Sequence, residues 1–340
     1  MGATCRVTRT TRKPWEGRPV PDTLTFHRRF QELTGNIEQF IRGKPEVVRL
    51  ALVCLLAQGH LLIEDVPGVA KTSLAKAIAQ SIAGATVRRI QFTPDLLPSD
   101  VTGVQVYDQV SATFVFRKGP VFTNILLGDE INRASPKTQS ALLEVMAERQ
   151  VTVDGVRNAV PDPFLCIATQ NPVEHQGTYA LPEAQLDRFL MRIAIGYPED
   201  MTDEKTIIAD GLSRRTPEEL QPVVELDDLR LMIETARKLH VSVELREYVA
   251  TITRATRSHP DVRLGISPRG SIALAVAAQA YAVSMGREFV TADDVKAVAV
   301  PVLNHRLLLT PDARIQRRSS EAVVSDILAD APVPRPMRSR

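Results

Sequence analysis

Between residues 61 and 195, five short apolar runs (61–63, 87–92, 125–127, 164–168 and 191–195) alternate with stretches of helical periodicity such as 73–82 and 136–148. A strand with one wet face alternates apolar and polar residues, whereas a strand apolar along its length is covered on both faces. Five such strands joined by helical crossovers describe a parallel sheet between helix layers, an α/β domain. Composition agrees: of 340 residues 44% are apolar but only 5% aromatic. The core must therefore be Ala, Val, Leu and Ile, which suits helices packed on parallel strands.

Two insertions interrupt the alternation. Residues 104–116 alternate in part and end in Phe-Val-Phe, and residues 150–160 contain Asp154-Gly155, the dipeptide favoured by a two-residue type I′ turn. Both read as β-hairpins. Upstream, Phe26, Phe30, Leu33, Ile37 and Ile41 recur at helical spacing until Gly43, and Pro45 opens a second helix at its favoured first position. Beyond Pro198 no strands are expected. Residues 202–212, 226–239, 245–257, 268–285 and 292–300 read as helices, with Asp293 and Asp294 in a first turn where the helix dipole favours them. The expected organisation is a flexible basic arm (1–24), an α/β domain with two hairpin insertions (25–200), a smaller all-helical domain (201–313), and a basic, partly disordered tail (314–340).

Charge and cysteine usage exclude several classes. The net charge is +2, yet residues 1–30 hold seven basic and two acidic side chains and residues 314–340 hold six and three. The body between them is therefore net −6, which argues against a dedicated nucleic-acid-binding domain. Cys5, Cys54 and Cys166 are odd in number and widely spaced, so neither a disulfide framework nor a zinc site follows, and a reducing, cytoplasmic setting is expected. None of the six histidines has metal-ligand spacing. The first 15 residues lack the apolar segment of a secretory signal. The densest apolar stretch, 50–57, is far short of the ~20 residues that span a bilayer, so no membrane insertion is expected.

The chemistry begins after the first apolar run, with Glu64-Asp65-Val66-Pro67-Gly68-Val69-Ala70-Lys71-Thr72-Ser73 leading into an Ala-rich helix. A phosphate-binding loop, G-x-x-x-x-G-K-[ST], occupies such a strand-to-helix junction. Here Asp65 and Ala70 stand at the two glycine positions. Phosphate binding requires inward backbone N–H groups, a helix N-terminus, a lysine and a hydroxyl that can hold Mg²⁺. Gly68, Lys71 and Thr72 supply them, and Ala70 is tolerable if its φ stays negative. The third run ends in Asp129-Glu130, two carboxylates suited to a metal shell and to polarising water; the fourth leads into Asn171. Each feature alone has a plain reading, as an incidental turn, a strand-end acidic pair or a turn starter before proline. Delivered together to the carboxyl edge of one parallel sheet, they point to a nucleotide.

These residues resemble the AAA+ ATPases, and specifically their MoxR family. The matching strings are LLIEDVPGVAKTSLAKAIA (61–79), QFTPDLLPSDVTG (91–103), FRKGPVFTNILLGDEINRASPKTQSALLEVMAERQVTVDG (116–155), ATQNPVEHQGTYALPEAQLDRFLMRI (168–193) and SPRG (267–270). They cover roughly residues 25–310. The resemblance implies a P-loop NTPase core of five strands with a helical lid, and binding of ATP and Mg²⁺ through residues 65–73. Lys71 and Thr72 would be the Walker A pair, Asp129 a metal holder with Thr72, Glu130 the catalytic base, and Asn171 the sensor that orients water. Arg188 would be an arginine finger reaching a neighbouring subunit, Arg269 a lid sensor, and Arg133 a weaker interface candidate. From the residues alone, the better reading of Arg188 is a partner of Asp187 or Glu183, and of Arg269 a solvent-facing helix residue; the resemblance reverses both. The resemblance further implies a homo-oligomeric ring, a hexamer in the cytoplasm, acting on a protein client such as one with a von Willebrand factor A-type domain. Two other readings stay open here: a magnesium-chelatase-like or nucleic-acid-remodelling motor subunit, and a nucleotide-gated interaction module without turnover.

Overall fold

The structure is a computed structural model that describes residues 20–66, 68–172 and 178–334. Most of the expected N-terminal arm, Pro67 of the phosphate loop and the last six residues of the tail lie outside the described residues.

The central sheet has five parallel strands, β1 (Leu61–Glu64), β2 (Val87–Gln91), β3 (Ile125–Asp129), β4 (Leu165–Gln170) and β5 (Met191–Ile193), in the spatial order β5-β1-β4-β3-β2. Successive side chains of a strand point to opposite faces, and the core divides accordingly. Leu61, Ile63, Ile125, Leu127, Leu165 and Ile167 join one buried cluster with helices Thr23–Ile37, Pro45–Leu56 and Lys71–Gln80. Leu62, Leu126, Cys166 and Ala168 join a second, with Leu142, Leu143 and Met146 of helix Pro136–Glu148. Both faces are dry, which is why the runs lack polar alternation. The exception is β2: Arg88, Arg89 and Gln91 are exposed, as befits an edge strand, where charge discourages pairing with another chain.

Both hairpin insertions form. Gly103–Asp108 pairs with Thr113–Lys118, and Gln150–Val153 with Val156–Ala159. Asp154 and Gly155 both have positive φ, 49° and 77°, the type I′ signature that the dipeptide suggested.

The second half is helical, with capped starts. Ser242 and Ser267 accept from the third residue onward, and Thr291 and Asp294 form a reciprocal capping box. Helix Pro268–Ser284 packs against Pro45–Leu56 and Ala292–Leu303, seating the lid on the α/β domain. One expectation needs correction. Short strands do occur after Pro198: Val224–Glu225 pairs with Ile82–Ala83, and Val262–Leu264 with Leu308–Leu309. Within the expected tail, Ser320–Asp330 is a helix that buries Val323, Val324 and Ile327. Its apolar stripe and its cap Ser319 were legible, but the surrounding basic residues dominate that stretch.

Candidate nucleotide-binding site

Strands β1, β4 and β3 are neighbours, with Glu64 opposite Gln170 and Gly128 opposite Ala168. Their carboxyl ends therefore bring the phosphate loop, Asn171 and the Asp129-Glu130 pair to adjacent points of one edge. Lys71, Thr72 and Ser73 form the first turn of helix Lys71–Gln80, which no side chain caps. The first N–H groups of such a helix have no intrahelical partner and face an incoming anion. Gly68 has φ +89°, and a Cβ built there would meet nothing within 4 Å, so the loop leaves open space beside its backbone.

Asp65 does something the motif did not suggest. Its Oδ2 accepts from the backbone N–H groups of Ile195 and Gly196, both at 2.7 Å, and its Oδ1 from Val66 N–H at 2.8 Å. Its own N–H donates to the Gln170 carbonyl at 3.1 Å. Both the Asp65 and Val66 amides donate within the chain here, and the carboxylate ties the loop to the exit of β5. Val69 is buried. Ala70 is a second correction. It adopts φ 58°, ψ 22°, the left-handed region, so the turn demands a glycine-like backbone at a position where glycine is absent.

The Lys71 ammonium donates to the Asp65 carbonyl at 2.5 Å. Burial pushes its pKa down, opposed by Asp65, Asp129 and Glu130, which places the cation in the field of all three carboxylates. Asp129 is buried; its Oδ2 accepts from Arg89 Nε at 2.6 Å and its Oδ1 from the Thr169 hydroxyl at 3.3 Å. Thr169 in turn accepts from the Glu130 N–H at 3.0 Å. Glu130 follows β3 in the left-handed region, φ 58° and ψ 50°, a strained conformation of the kind that persists at functional sites. Its carboxylate is held by Gln91 Nε2 at 2.7 Å and Arg133 Nη1 at 3.2 Å. Arg133, weighed as an interface residue, is thus engaged within its own chain. Thr169, Arg89 and Gln91 were missed by sequence reasoning; the one available signal was polar residues interrupting β2.

Above the loop lies a pocket of about 440 Å³, within the range of small-ligand sites. Gly68, Val69, Ala70 and Ser73 form its phosphate-loop side. Phe40, Ile41, Ile195, Tyr197, Ile207 and Ile208 form an apolar side, and the rim mixes Arg42, Lys44 and Arg215 with Glu204 and Asp210, the last paired with both arginines.

Comparison with known proteins agrees. The family model for "ATPase family associated with various cellular activities (AAA)" matches residues 60–191, and that for an AAA lid domain matches residues 254–327. The chain is 48% identical to the uncharacterised protein YeaC of Bacillus subtilis over 88% of this chain and 93% of that one. It is 42% identical to Chaperone MoxR1 of Mycobacterium tuberculosis over 88% of this chain and 80% of the relative. The chain belongs to the MoxR family of AAA+ ATPases. A crystal structure of a Cytophaga hutchinsonii protein superposes on it with a TM-score of 0.86 at 35% identity, covering 92% and 97% of the two chains.

Two arginines singled out for this MoxR-family chain stand apart from the phosphate loop. Neither Arg188 nor Arg269 lines the pocket above it. Arg188 is half-buried in a polar groove beside helix Pro136–Glu148. Neither proposed intrachain partner pairs with it: among the described residues Asp187 pairs with Arg306 at 2.7 Å and faces Arg269 at 4.0 Å. Arg269 opens helix Pro268–Ser284 with its side chain 62% exposed. Arg306, just 4% exposed, was not foreseen, and no local pattern marks it.

Proposed function

We propose that this chain hydrolyses ATP with Mg²⁺, and that it does so in a ring of copies, most simply six, to remodel or mature a protein client. The observation that carries the reading is the delivery of the Lys71 turn, the Asp129-Glu130 pair and Asn171 to the carboxyl edge of three adjacent strands, beside an uncapped helix N-terminus and a base-sized pocket. In it, the base lies against Ile41 and Tyr197, and the amides of the Lys71–Ser73 turn take the phosphates. Lys71 exchanges the Asp65 carbonyl for phosphate oxygens.

The residues also suit the metal. Among the described residues no cluster of three or more His, Cys, Asp or Glu could cage an ion unaided. One buried carboxylate, Asp129, and one hydroxyl, Thr72, match the way Mg²⁺ is held, by few protein oxygens with phosphates and water completing the shell. Asp129 and Thr72 would hold the ion where it would offset charge on the phosphate oxygens. Glu130 accepts a proton from the attacking water as its oxygen bonds to the γ-phosphorus, while the bond to the bridging oxygen breaks and ADP leaves. Gln91 and Arg133 fix which way the Glu130 carboxylate points. Asn171, at the end of β4, orients the water.

Arg188 on an outer groove supports completion of the site by an adjacent copy. The relative named as a chaperone supports a protein client, and a von Willebrand factor A-type domain is the client class we favour. Glu130→Gln should lower kcat by about 10²–10⁴-fold, the range for loss of a general base, while a fluorescent ATP analogue binds as before. Retained turnover would remove Glu130 from this role.

A further inference from the structure

Edge strand β2 carries two adjacent arginines with different surroundings. Protection of a sheet edge accounts for exposed charge at both, but Arg89 also turns back onto the sheet. In the parallel register Arg88 lies beside Leu126 and Arg89 beside Leu127. Leu127 belongs to the buried cluster shared with helix Lys71–Gln80, and Leu126 to the cluster on the opposite face. Paired neighbours on adjacent strands share a face, so Arg89 stands on the phosphate-loop side. There its Nε donates to Asp129 Oδ2 at 2.6 Å and its Nη2 to Gln91 Oε1 at 3.2 Å.

The two partners of this ion pair are unequal. The Asp129 side chain is 10% exposed and also accepts from the Thr169 hydroxyl, whereas the Arg89 side chain is 55% exposed. The carboxylate is fixed in place, and the guanidinium can turn into water without unpacking the core. An ion pair with a well-exposed partner contributes little to stability and is readily exchanged. The carboxylate it occupies is the one suited to the metal.

Resting on the Mg²⁺–ATP reading above, we propose that Arg89 is a resident counter-cation for Asp129, competing with Mg²⁺ for that carboxylate and so setting how much Mg²⁺ the site demands. Its charge acts in opposite directions on the two ligands. Paired with Asp129, it cancels a negative charge that would otherwise repel the phosphates, so an ATP tail can settle on the Lys71 turn before the metal. Metal capture then requires the guanidinium to let go of Asp129, and that exchange raises the Mg²⁺ concentration needed.

The test uses the full chain and a non-hydrolysable fluorescent ATP analogue, with binding as the readout. Arg89→Gln should weaken binding in EDTA about threefold or more, and should lower the Mg²⁺ concentration giving half-maximal enhancement about three- to tenfold. Arg89→Lys keeps the charge, and Arg88→Gln removes the same charge from the opposite face; both should stay within about twofold of the wild type. An Arg89 that merely supported the fold would move both affinities the same way. Asp129→Asn anchors the measurement: its Mg²⁺ midpoint should rise about tenfold or more, as for loss of a metal partner. An unchanged midpoint in that variant would mean that Asp129 does not hold the metal, and the metal reading itself would fail. If Asp129→Asn shifts as expected but Arg89→Gln leaves the midpoint in place or raises it, the counter-cation inference is overturned and the ATPase reading stands. Should Arg89→Gln prove unstable by thermal melt, Arg89→Met, which keeps an apolar stem, decides.

Discussion

The phosphate edge and the Asp187–Arg306 joint are built from the same materials in opposite ways. At the edge, Asp65 and Lys71 lie six positions apart and bond largely to backbone, leaving an open pocket of about 440 Å³ and an uncapped helix start. At the joint, two residues 119 positions apart close on one another with almost no exposure on the arginine. The edge keeps its charges accessible for a ligand. The joint uses its charges to hold two parts of the chain together. A buried ion pair is a poor way to gain stability compared with apolar packing, but breaking one is severe. The contrast predicts that edge variants will change binding with little effect on folding, and that joint variants will do the reverse.

The largest effect should come from Arg306→Ala. It strands the Asp187 carboxylate and the carbonyl of Leu190, so stability to denaturant should fall by about 3–5 kcal/mol, the range for removing one partner of a buried pair. Burial already pushes the Arg306 pKa down, with Asp187 opposing the shift, which shows how dependent the cation is on its partner. A midpoint equal to that of the wild type would break the comparison, because the joint would then be no more structural than the edge.

Lys71→Ala comes next and tests the other arm. The lysine's ammonium is held by a single carbonyl and desolvated by burial, so its removal should leave the denaturation midpoint almost unchanged. ATP binding should weaken by about 1.5–3 kcal/mol, roughly 10–100-fold, as for loss of a charged hydrogen bond. Equilibrium titration with a fluorescent ATP analogue measures it. Unchanged affinity would show that the loop does not hold the phosphates.

The same contrast explains what was readable in the amino-acid order. Four of the five strands were legible because burial on both faces removes polar residues from runs such as Leu61–Glu64 and Leu165–Gln170. The Asp154-Gly155 turn was legible because its backbone demand is local. The pocket walls were not, since Phe40, Tyr197 and Ile208 come from three separate segments and each looks like an ordinary apolar residue. Thr169 was passed over as part of a strand end, although its hydroxyl links Asp129 to the Glu130 amide. Arg306 had no local signature at all: its partners are chosen by how the lid docks, which no spacing within a short window encodes. Motifs mark where a ligand meets backbone, and long-range polar pairs decide how the pieces that carry them are held.

The smallest effect is the sharpest on the edge itself. Ala70 occupies the left-handed region, where an L side chain costs about 1–2 kcal/mol. Glycine removes that cost but adds conformational freedom to the unfolded chain, worth about 0.5–1 kcal/mol in the opposite direction. Ala70→Gly should therefore stabilise the protein by roughly 0.5–1 kcal/mol, seen as a small upward shift in the denaturation midpoint. The sign matters more than the size. Were φ at this position negative, only the entropic term would remain and the substitution would destabilise. An upward shift thus reports the left-handed turn directly, and with it a loop whose backbone is strained before any phosphate arrives. Tighter binding of ATP by the same variant would mean that this strain opposes the bound form. Equal binding would mean that free and bound loops share the turn, and that the cost falls on folding alone.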